Sequence, residues 1–415
     1  MVRIEMNRRV AVIAAFACDP RLPSEPTIGW HFVNALATAS ETIDNCDVIA
    51  FMNQRSCDIT MQNWIDKPPI EIVGVQLPSF LRFLLDPRLT RFEYLVWNIQ
   101  VKNRLRKLAQ SNQVVLAHHV TFASELLPTP ISVLSNSTLK IWGPVGSSGN
   151  ADVYRVSPRW GSWKFNYIVQ KTRSFLSRRL AAINSRKINL VLTQSSELSR
   201  QLSNRNRDTR VFPNVIVDES LTIISDTSQT SELGPDSGHR TILCIGNLIY
   251  LKRFELAIAA LASPELADAR LIIIGKPGPG QENYLLPVAT KFGVEQRVLF
   301  TGQIPRSQVI EHMRNTDVVF HPSAREGASG VVGEATTLGV PVVCFEQTGA
   351  AVVLQAAETS GFAVSALETD ARSIARTLSA AMNLPRISTD LWTYQRFVDL
   401  EHELLESVVG KSNGY

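Results

Sequence analysis

Two glutamates, Glu326 and Glu334, flank a seven-residue stretch rich in glycine and small residues. The residues there that could bring backbone amides close to a ligand are Gly327, Ala328, Ser329, Gly330 and Val331. Glycine permits close approach of a ligand to the backbone, free N–H groups at a helix start attract phosphate, and carboxylates accept hydrogen bonds from hydroxyls. The pattern fits a polyhydroxyl ligand joined to phosphate, such as a nucleotide sugar. It fits equally a glycine-rich turn with two solvated glutamates.

The elements around this stretch predict its setting. An apolar run, Asp317–Phe320, precedes it, and a short helical pattern ends at Gly339. A second apolar run, Val340–Phe345, follows immediately. This order is typical of one strand–loop–helix–strand unit in a parallel sheet.

A histidine pair marks a second candidate region. Val114–Leu116 is predicted as a strand, and His118 and His119 follow it. Ligands of parallel sheets bind at the carboxyl ends of strands, so the pair could contact a ligand or could be structural. A flexible run, Gly143–Gly149, is expected at the same edge.

The chain contains two successive series of alternating strand and helix patterns. Its length of 415 residues also predicts two or three domains. We expect a doubly wound α/β domain in residues 1–215, a polar linker in 216–240 and a second α/β domain in 241–385. Residues 386–415 contain a final helix, Leu391–Val409. Two Rossmann-like domains facing each other would enclose a cleft between their sheet edges.

Composition narrows the class of protein. The net charge of +4 is mildly basic and does not indicate nucleic acid as a partner. The five cysteines form no CxxC pair, which favours buried free thiols in a reducing, cytoplasmic setting. No apolar run reaches the ~18 residues of a membrane span. The run Val10–Cys18 could be a signal peptide or a first buried strand, and its shortness favours the strand.

Two segments, Leu77–Leu108 and Arg159–Lys187, mix aromatic and basic residues. Such a pattern can describe a helix resting on a membrane surface or an acceptor lipid. It can also describe a core-facing helix with a solvated basic face, and we prefer this second interpretation. Peripheral contact with the inner face of a membrane remains the alternative.

The ordered set of motifs resembles the retaining family 4 (group 1) glycosyltransferases of GT-B fold. Glu326 and Glu334 resemble that family's E-x7-E signature, and Gly246–Asn247–Leu248 with Lys252 resembles its Gly-Arg-Leu…Lys element. The motifs that also agree in order are Pro213–Asn214, Gly275, Gly302, Ser24–Trp30 and Trp142–Gly146. The last two are similar to loops of one subgroup. The resemblance covers nearly the whole chain.

The resemblance implies a role for each matching position. Glu326 would bind hydroxyls of the donor sugar, Glu334 the ribose, and amides around Ala328–Val331 the sugar and diphosphate. Lys252 would neutralise the departing diphosphate, and His119 or His118, with His119 preferred, would contact the sugar near the reacting carbon. The further residues expected on the donor side are Gly29, Gly246, Asn247, Arg253 and Gly275, and those on the acceptor side are His118, Gly146 and Ser147. The last helix would cross back to the first domain, where Trp392 and Phe397 would pack.

The chain departs from the family at Asn247, where arginine is usual. Arg253 or Lys276 could compensate for the lost cation near a diphosphate. No Asp-x-Asp triplet occurs, so metal-bridged binding of the diphosphate is not expected, and no metal or cofactor is predicted. Lys252 would supply the positive charge instead.

The sequence therefore predicts a metal-independent retaining glycosyltransferase. It would move a sugar from a nucleotide sugar to a glycan or lipid-linked glycan, in polysaccharide biosynthesis. The alternative from another class is a catalytically weak subunit that binds a sugar nucleotide or supports polysaccharide assembly, which Asn247 favours. A third hypothesis is a nucleotide-sugar epimerase or an inverting transferase, but those enzymes lack the E-x7-E motif in this context.

Overall fold

The computed structural model divides into two compact units. The first unit comprises Met1–Gly146, Leu176–Asn214 and Tyr394–Tyr415, and the second comprises Ser147–Phe175 and Val215–Thr393. The residues whose structure is described are 8–22, 24–43, 46–65, 67–146, 149–159, 161–218, 221, 239–278 and 283–409.

A seven-stranded parallel sheet forms the centre of the first unit. Its strands are β1 (Arg9–Ala15), β2 (Cys46–Asn53), β3 (Glu71–Val75), β4 (Gln113–Thr121), β5 (Leu139–Val145), β6 (Leu190–Thr193) and β7 (Asp208–Val211). They lie in the order β3-β2-β1-β4-β5-β6-β7. The order reverses between β1 and β4, and in open α/β sheets ligands bind beside the carboxyl ends of strands at such a reversal.

Helices follow most of these strands. They are α1 (Glu25–Ser40), α2 (Gln54–Asn63), α3 (Thr90–Ser111), α4 (Trp163–Asn184), whose residues fall partly in each unit, and α5 (Ser196–Ser203). Helix α1 rests directly on the chain that leaves β1. A Cβ atom at Gly29 would lie 2.1 Å from the Ala17 carbonyl oxygen, so only glycine fits this contact.

The second unit contains a six-stranded parallel sheet. Its strands are β8 (Arg240–Ile245), β9 (Ala269–Ile274), β10 (Val298–Gly302), β11 (Val318–His321), β12 (Val342–Phe345) and β13 (Gly361–Val364). Its helices are α6 (Glu255–Leu261), α7 (Leu286–Lys291), α8 (Arg306–Arg314), α9 (Gly330–Thr337), α10 (Gly349–Ala357) and α11 (Ala371–Ala381). The order β10-β9-β8-β11-β12-β13 reverses between β8 and β11.

The apolar strands of this second sheet bury both faces. Ile242 and Val343 pack into one apolar cluster, whereas their neighbours Leu243 and Val342 pack into another on the opposite face. Successive side chains of a strand point to opposite faces, so a continuous apolar run is what a sheet covered by helices on both sides requires.

The final helix, α12 (Gln395–Val409), belongs to the first unit. Phe397 packs edge-on against Phe32 of α1, with ring centroids 4.7 Å apart, and Glu401 contacts His118 of β4. The predicted return of the last helix is therefore observed. Trp392 corrects one detail, because it lies in the second unit and donates its indole N–H to Thr336 Oγ1 at 2.9 Å.

Two further expectations need revision. Strand β4 continues to Thr121, beyond the predicted Val114–Leu116, so the histidines lie inside the strand. Ser147–Phe175 belongs to the second unit, although the sequence suggested that residues 1–215 form one domain. The physical reason is that Val153, Tyr154 and Val156 are buried in the apolar core of the second unit. The expected linker lies mostly outside the described residues.

All five cysteines lie in the described part of the chain and are free thiols. Cys18, Cys57, Cys244 and Cys344 are buried, and Cys46 is partly exposed. Among the described residues, no helix has both the length and the hydropathy needed to cross a membrane.

Candidate functional site

The residues with the strongest chemistry meet where the second sheet reverses its strand order. Lys252 follows the end of β8, and Glu326 follows the end of β11. Lys252 Nζ donates to Glu326 Oε2 at 2.6 Å, and both side chains keep partial exposure, 17% and 22%. The pair is thus at the edge where open α/β sheets bind ligands, and it remains accessible to a small molecule.

Two backbone approaches fix the loops that carry this pair. Ala324 donates its backbone N–H to the Leu251 carbonyl at 2.9 Å, which joins the Glu326 loop to the Lys252 loop. On the other side, a Cβ atom at Gly349 would lie 1.2 Å from the Gly327 carbonyl oxygen. The loop can occupy this place only because residue 349 is glycine.

Glycines also shape the floor under Lys252. Gly246 has a φ of +145°, and the Lys252 side chain crosses it, so that a Cβ atom there would lie 3.2 Å from Lys252 Cε. Gly275, with a φ of +151°, packs on Gly246, and a Cβ atom on it would lie 1.9 Å from the Gly246 carbonyl oxygen. Both predicted glycines therefore contribute close backbone packing beneath the cation.

His321, the last residue of β11, is the second partner of Glu326. Its Nε2 lies 3.2 Å from Glu326 Oε2 and 3.5 Å from Ser329 Oγ. Burial lowers the pKa of His321 despite the opposing hydrogen bond to Glu326, so the ring is neutral near pH 7. A carboxylate can only accept, so we infer that Nε2 carries the proton and donates to Glu326.

The electrostatics hold Glu326 as an anion. Burial opposes its ionisation, yet the hydrogen bond from His321 and the positive charge of Lys252 outweigh this and lower its pKa to about 2. The site therefore presents a carboxylate acceptor and an ammonium donor side by side. A carboxylate of this kind accepts hydrogen bonds from hydroxyls, and the ammonium can pair with phosphate.

Glu334 lies one turn into α9, on the same loop–helix unit. Its carboxylate accepts a hydrogen bond from Arg306 Nη2 at 2.6 Å, and the Glu334 side chain is 12% exposed. Ser329 begins the helix by accepting from the Val332 N–H. First-turn N–H groups such as those of Gly330 and Val331 have no acceptor within a helix, so they can bind an anion beside Lys252 and Glu326.

Arg253 does not belong to this set, which corrects the expectation that it compensates for Asn247. It is 2% exposed, and its guanidinium donates to the carbonyls of Val153 and Val156 and to the Glu255 carboxylate. Its donors are therefore already used inside the second unit. Asn247 and Lys276 are exposed after β8 and β9, and compensation by Lys276 stays a prediction.

His118 and His119 lie in the interior of the first unit. Both are fully buried. His118 lies between Glu401 Oε1, 2.7 Å from Nδ1, and the Gly143 carbonyl, 2.8 Å from Nε2. His119 contacts the Tyr94 hydroxyl at 3.3 Å, and burial lowers its pKa to about 3. In this structure neither ring reaches the surface, so the expected sugar contact is not made through an exposed imidazole.

The remaining predicted residues of the first unit lie at the carboxyl edge of its sheet. Gly29 is buried against Ala17 and Thr121, and Gly146 donates its N–H to the Ala123 carbonyl at 3.2 Å. A Cβ atom at Gly146 would meet nothing within 4 Å. Ser147 lies outside the described residues.

Three residues near the site received no role from the sequence. They are His321, Arg306 and Asn150, which donates its backbone N–H to Ala324. His321 precedes the glutamate motif and ends the strand before Glu326, which is the local signal for it. Arg306 and Asn150 are 28 and more than 170 residues from their partners, a distance at which no local pattern operates.

In the described residues, no group of three or more His, Cys, Asp or Glu side chains is arranged to hold a metal ion. The side chains that meet here are the Glu326 carboxylate, the His321 imidazole and the Lys252 ammonium. Metal independence stays a prediction.

Part of the chain matches a family of known proteins. Residues 225–396, which include Lys252, Glu326 and Glu334, match the family model described as glycosyl transferases group 1. A D-inositol 3-phosphate glycosyltransferase of Mycobacterium sp. (strain JLS) is 27% identical over 173 residues, which are 40% of this chain. The match spans 39% of the length of that relative.

Solved structures extend the likeness to the whole chain. A sucrose-phosphate synthase from Thermosynechococcus elongatus aligns over 98% of both chains, with 17% identity and a TM-score of 0.56. HepE of Anabaena in complex with UDP-glucose aligns over 97% of this chain and all of its own, with 16% identity and a TM-score of 0.52. The chain therefore has the two-domain GT-B fold of these proteins, and its residues 225–396 carry the group 1 glycosyltransferase pattern.

Proposed function

We propose that this chain is a retaining glycosyltransferase that takes its sugar from a nucleotide-sugar donor. One observation carries the proposal: the Lys252–Glu326 pair stands at the reversal of the second sheet, beside the start of α9. That arrangement places three groups together: a carboxylate that accepts hydrogen bonds from hydroxyls, a cation that binds phosphate, and backbone N–H groups at a helix start. A nucleotide sugar needs all three.

Each group has a defined task in the proposed reaction. Glu326 accepts hydrogen bonds from the donor-sugar hydroxyls, and Glu334 accepts from the ribose once Arg306 moves aside. Lys252 pairs with the diphosphate and stabilises the charge that develops on it as the glycosidic bond breaks. The N–H groups of Gly330 and Val331 bind the same diphosphate. Gly246 and Gly275 have no side chains, so the diphosphate can approach the backbone beside Lys252.

Retention follows if the acceptor attacks from the face that the diphosphate leaves. The departing phosphate oxygen then takes the acceptor proton, and no enzyme nucleophile is needed. Lys252 supplies the positive charge that a metal supplies in other transferases, so we propose that the reaction is metal-independent. Proton NMR of the product anomer tests retention.

Donor choice is testable with a panel of UDP-, GDP- and ADP-sugars. UDP-glucose is the first candidate because the similar HepE structure contains it. We expect one donor class to raise the thermal midpoint and to release nucleoside diphosphate when a glycan acceptor is added. Lys252→Met should abolish the thermal shift, whereas Arg159→Ala, an exposed change, should leave it intact.

The competing function is a catalytically weak subunit that binds a sugar nucleotide within a polysaccharide assembly system. Asn247, exposed where the family usually has arginine, favours it. In that case a nucleotide sugar would stabilise the protein but no acceptor would produce nucleoside diphosphate. Asn247→Arg would then raise donor affinity without creating turnover.

We further propose that the acceptor is a glycan or lipid-linked glycan and that the first unit contacts a membrane peripherally. The segment Leu77–Leu108 has two faces: Tyr94, Trp97, Val101 and Leu105 are buried, whereas Phe80, Phe83, Phe92 and Ile99 are more than half exposed. Arg88, Arg91 and Arg106 are exposed around them. Exposed aromatic and basic residues together favour an anionic lipid surface.

Vesicle flotation tests this contact. The protein should float with phosphatidylglycerol vesicles and not with phosphatidylcholine vesicles, and Phe92→Ser with Ile99→Ser should abolish flotation. Leu286→Ser removes a comparably exposed apolar residue from α7 of the second unit and is the matched control. Equal flotation of all variants would exclude this surface.

A further inference from the structure

The segment Gly149–Arg159, here named the strap, is built into the second unit. It begins three residues after Gly146, the end of the first-unit edge loop. Val153 and Val156 are at most 1% exposed, and both pack in the apolar cluster that contains Phe254. The strap is thus anchored by core residues beside the turn that carries Lys252.

Arg253 holds the strap through hydrogen bonds to its backbone carbonyls. It adopts a left-handed conformation, with a φ of +53°, and is buried with Glu255. Its guanidinium donates to the Val153 carbonyl, to the Val156 carbonyl at 3.1 Å and to the Pro158 carbonyl at 3.4 Å. A buried guanidinium requires such acceptors, so the strap carbonyls and the residue after Lys252 hold each other in place.

Asn150 links the strap to two other segments, because its backbone N–H reaches the Glu326 loop and its side chain reaches the chain after β12. Its backbone N–H donates to the Ala324 carbonyl at 2.9 Å, and its side-chain amide donates to the Glu346 carbonyl at 3.0 Å. Its side-chain oxygen accepts from the Asp152 N–H at 3.0 Å, and the residue is 8% exposed. One side chain therefore ties the strap to the chain that follows β12.

Gly149 allows the strap to lie directly on the Glu326 loop. Its φ is +77°, and a Cβ atom on it would lie 2.7 Å from both the Ala324 carbonyl oxygen and Arg325 Cβ. Gly349 approaches the same loop at Gly327. The loop that presents Glu326 is therefore held between two glycine contacts, one of them supplied by the strap.

We propose that the strap is a structural part of the donor site, with Asn150 as the positioning residue for Glu326 and Arg253 as the positioning residue for Lys252. This inference rests on the proposed function for its kinetic consequence, but its structural part stands alone. Neither Asn150 nor Arg253 needs to contact a substrate. Arg253 acts through the turn that carries Lys252. The Asn150 side chain acts by holding the strap, which lies on the Glu326 loop, to the Glu346 carbonyl.

Three variants separate this role from general stability. Asn150→Ala removes both side-chain hydrogen bonds, and Asn150→Asp keeps the acceptor for Asp152 but loses the donor to Glu346. Arg155→Ala changes an exposed strap residue and is the control. A lost neutral hydrogen bond corresponds to about a two- to twelvefold change, so both Asn150 variants should lower kcat about five- to tenfold. Nucleoside-diphosphate affinity should change less than about twofold, because Lys252 and Glu334 remain.

Hydrogen exchange supplies a readout that does not depend on turnover. In both Asn150 variants, amides in residues 322–331 should exchange about five- to tenfold faster than in wild type and Arg155→Ala. Equal exchange and equal kcat in all variants would overturn the proposal. If the wild type transfers no sugar but the exchange difference appears, the strap stands and the glycosyltransferase proposal fails. If Asn150→Ala does not fold, Asn150→Asp decides by the same criteria.

Discussion

The substitution Glu326→Gln probes the ion pair through the pH dependence of stability. Glutamine keeps the size of the side chain but removes its charge. The folded-state pKa of Glu326 is lowered from 4.5 to about 2, so the ionised group stabilises the fold above the unfolded value. That contribution is lost as the pH falls from 4.5 toward 2. One pKa unit corresponds to ~1.4 kcal/mol, so the contribution is about 3 kcal/mol at pH 6 and about 1.4 kcal/mol at pH 3.

Wild type should therefore exceed Glu326→Gln in the free energy of unfolding by a margin that narrows by about 2 kcal/mol between pH 6 and pH 3. Urea unfolding at each pH, followed by fluorescence and far-ultraviolet circular dichroism together, measures the margin. The control is Glu403→Gln, which removes an exposed partner of Arg210 in the first unit. Parallel curves for wild type and Glu326→Gln over this range would refute the pairing of Glu326 with Lys252 and His321.

Other contacts give simpler predictions. Arg306→Ala should tighten nucleoside-diphosphate binding by up to about fivefold in calorimetry, because an exposed pair is worth ~0–1 kcal/mol and the ribose no longer competes with Arg306; weaker binding would instead make Arg306 a ligand. Glu401→Leu removes the hydrogen-bond partner of His118 Nδ1 inside the fold and should lower the free energy of unfolding by about 1–3 kcal/mol, whereas an unchanged thermal midpoint would contradict this buried contact. EDTA should leave donor turnover unchanged, and a loss restored by Mg²⁺ would show that the charge of Lys252 is insufficient.

Much of the fold could be predicted because its determinants are local. Apolar runs such as Val340–Phe345 are long enough for strands buried on both faces, and helical patterns separate them. Gly246 and Gly275 mark the chain where β8 and β9 end. The parallel two-domain architecture follows from this alternation.

Part of the candidate site could also be predicted from the sequence, since Glu326, Glu334 and the glycines between them lie on one loop–helix unit. Their spacing in the sequence places one glutamate in the loop and the other one turn into the helix that follows. The partnership with Lys252 required the sheet order, because β8 and β11 are neighbours only through a crossover. The E-x7-E resemblance supplied what the spacing could not.

Residues whose role depends on distant backbone were misjudged. Arg253 looked like a phosphate ligand beside Lys252, but carbonyls about 100 residues earlier in the chain use its donors. His118 looked like a strand-end ligand, but β4 runs further than its most apolar residues, and a helix 283 residues away provides its partner. Neither the left-handed conformation of Arg253 nor the contact with Glu401 leaves a local sequence pattern.

The central claim is that the Lys252–Glu326 pair binds the donor of a glycosyl transfer. Acceptor-dependent release of nucleoside diphosphate, measured for wild type and Glu326→Gln with the stabilising donor, tests it most directly. Removing one preorganised hydrogen-bonding group from an active site typically costs about 10²–10³ in kcat, and we predict a loss of that size while the variant remains folded at pH 7. Turnover of Glu326→Gln within about twofold of wild type would contradict the account.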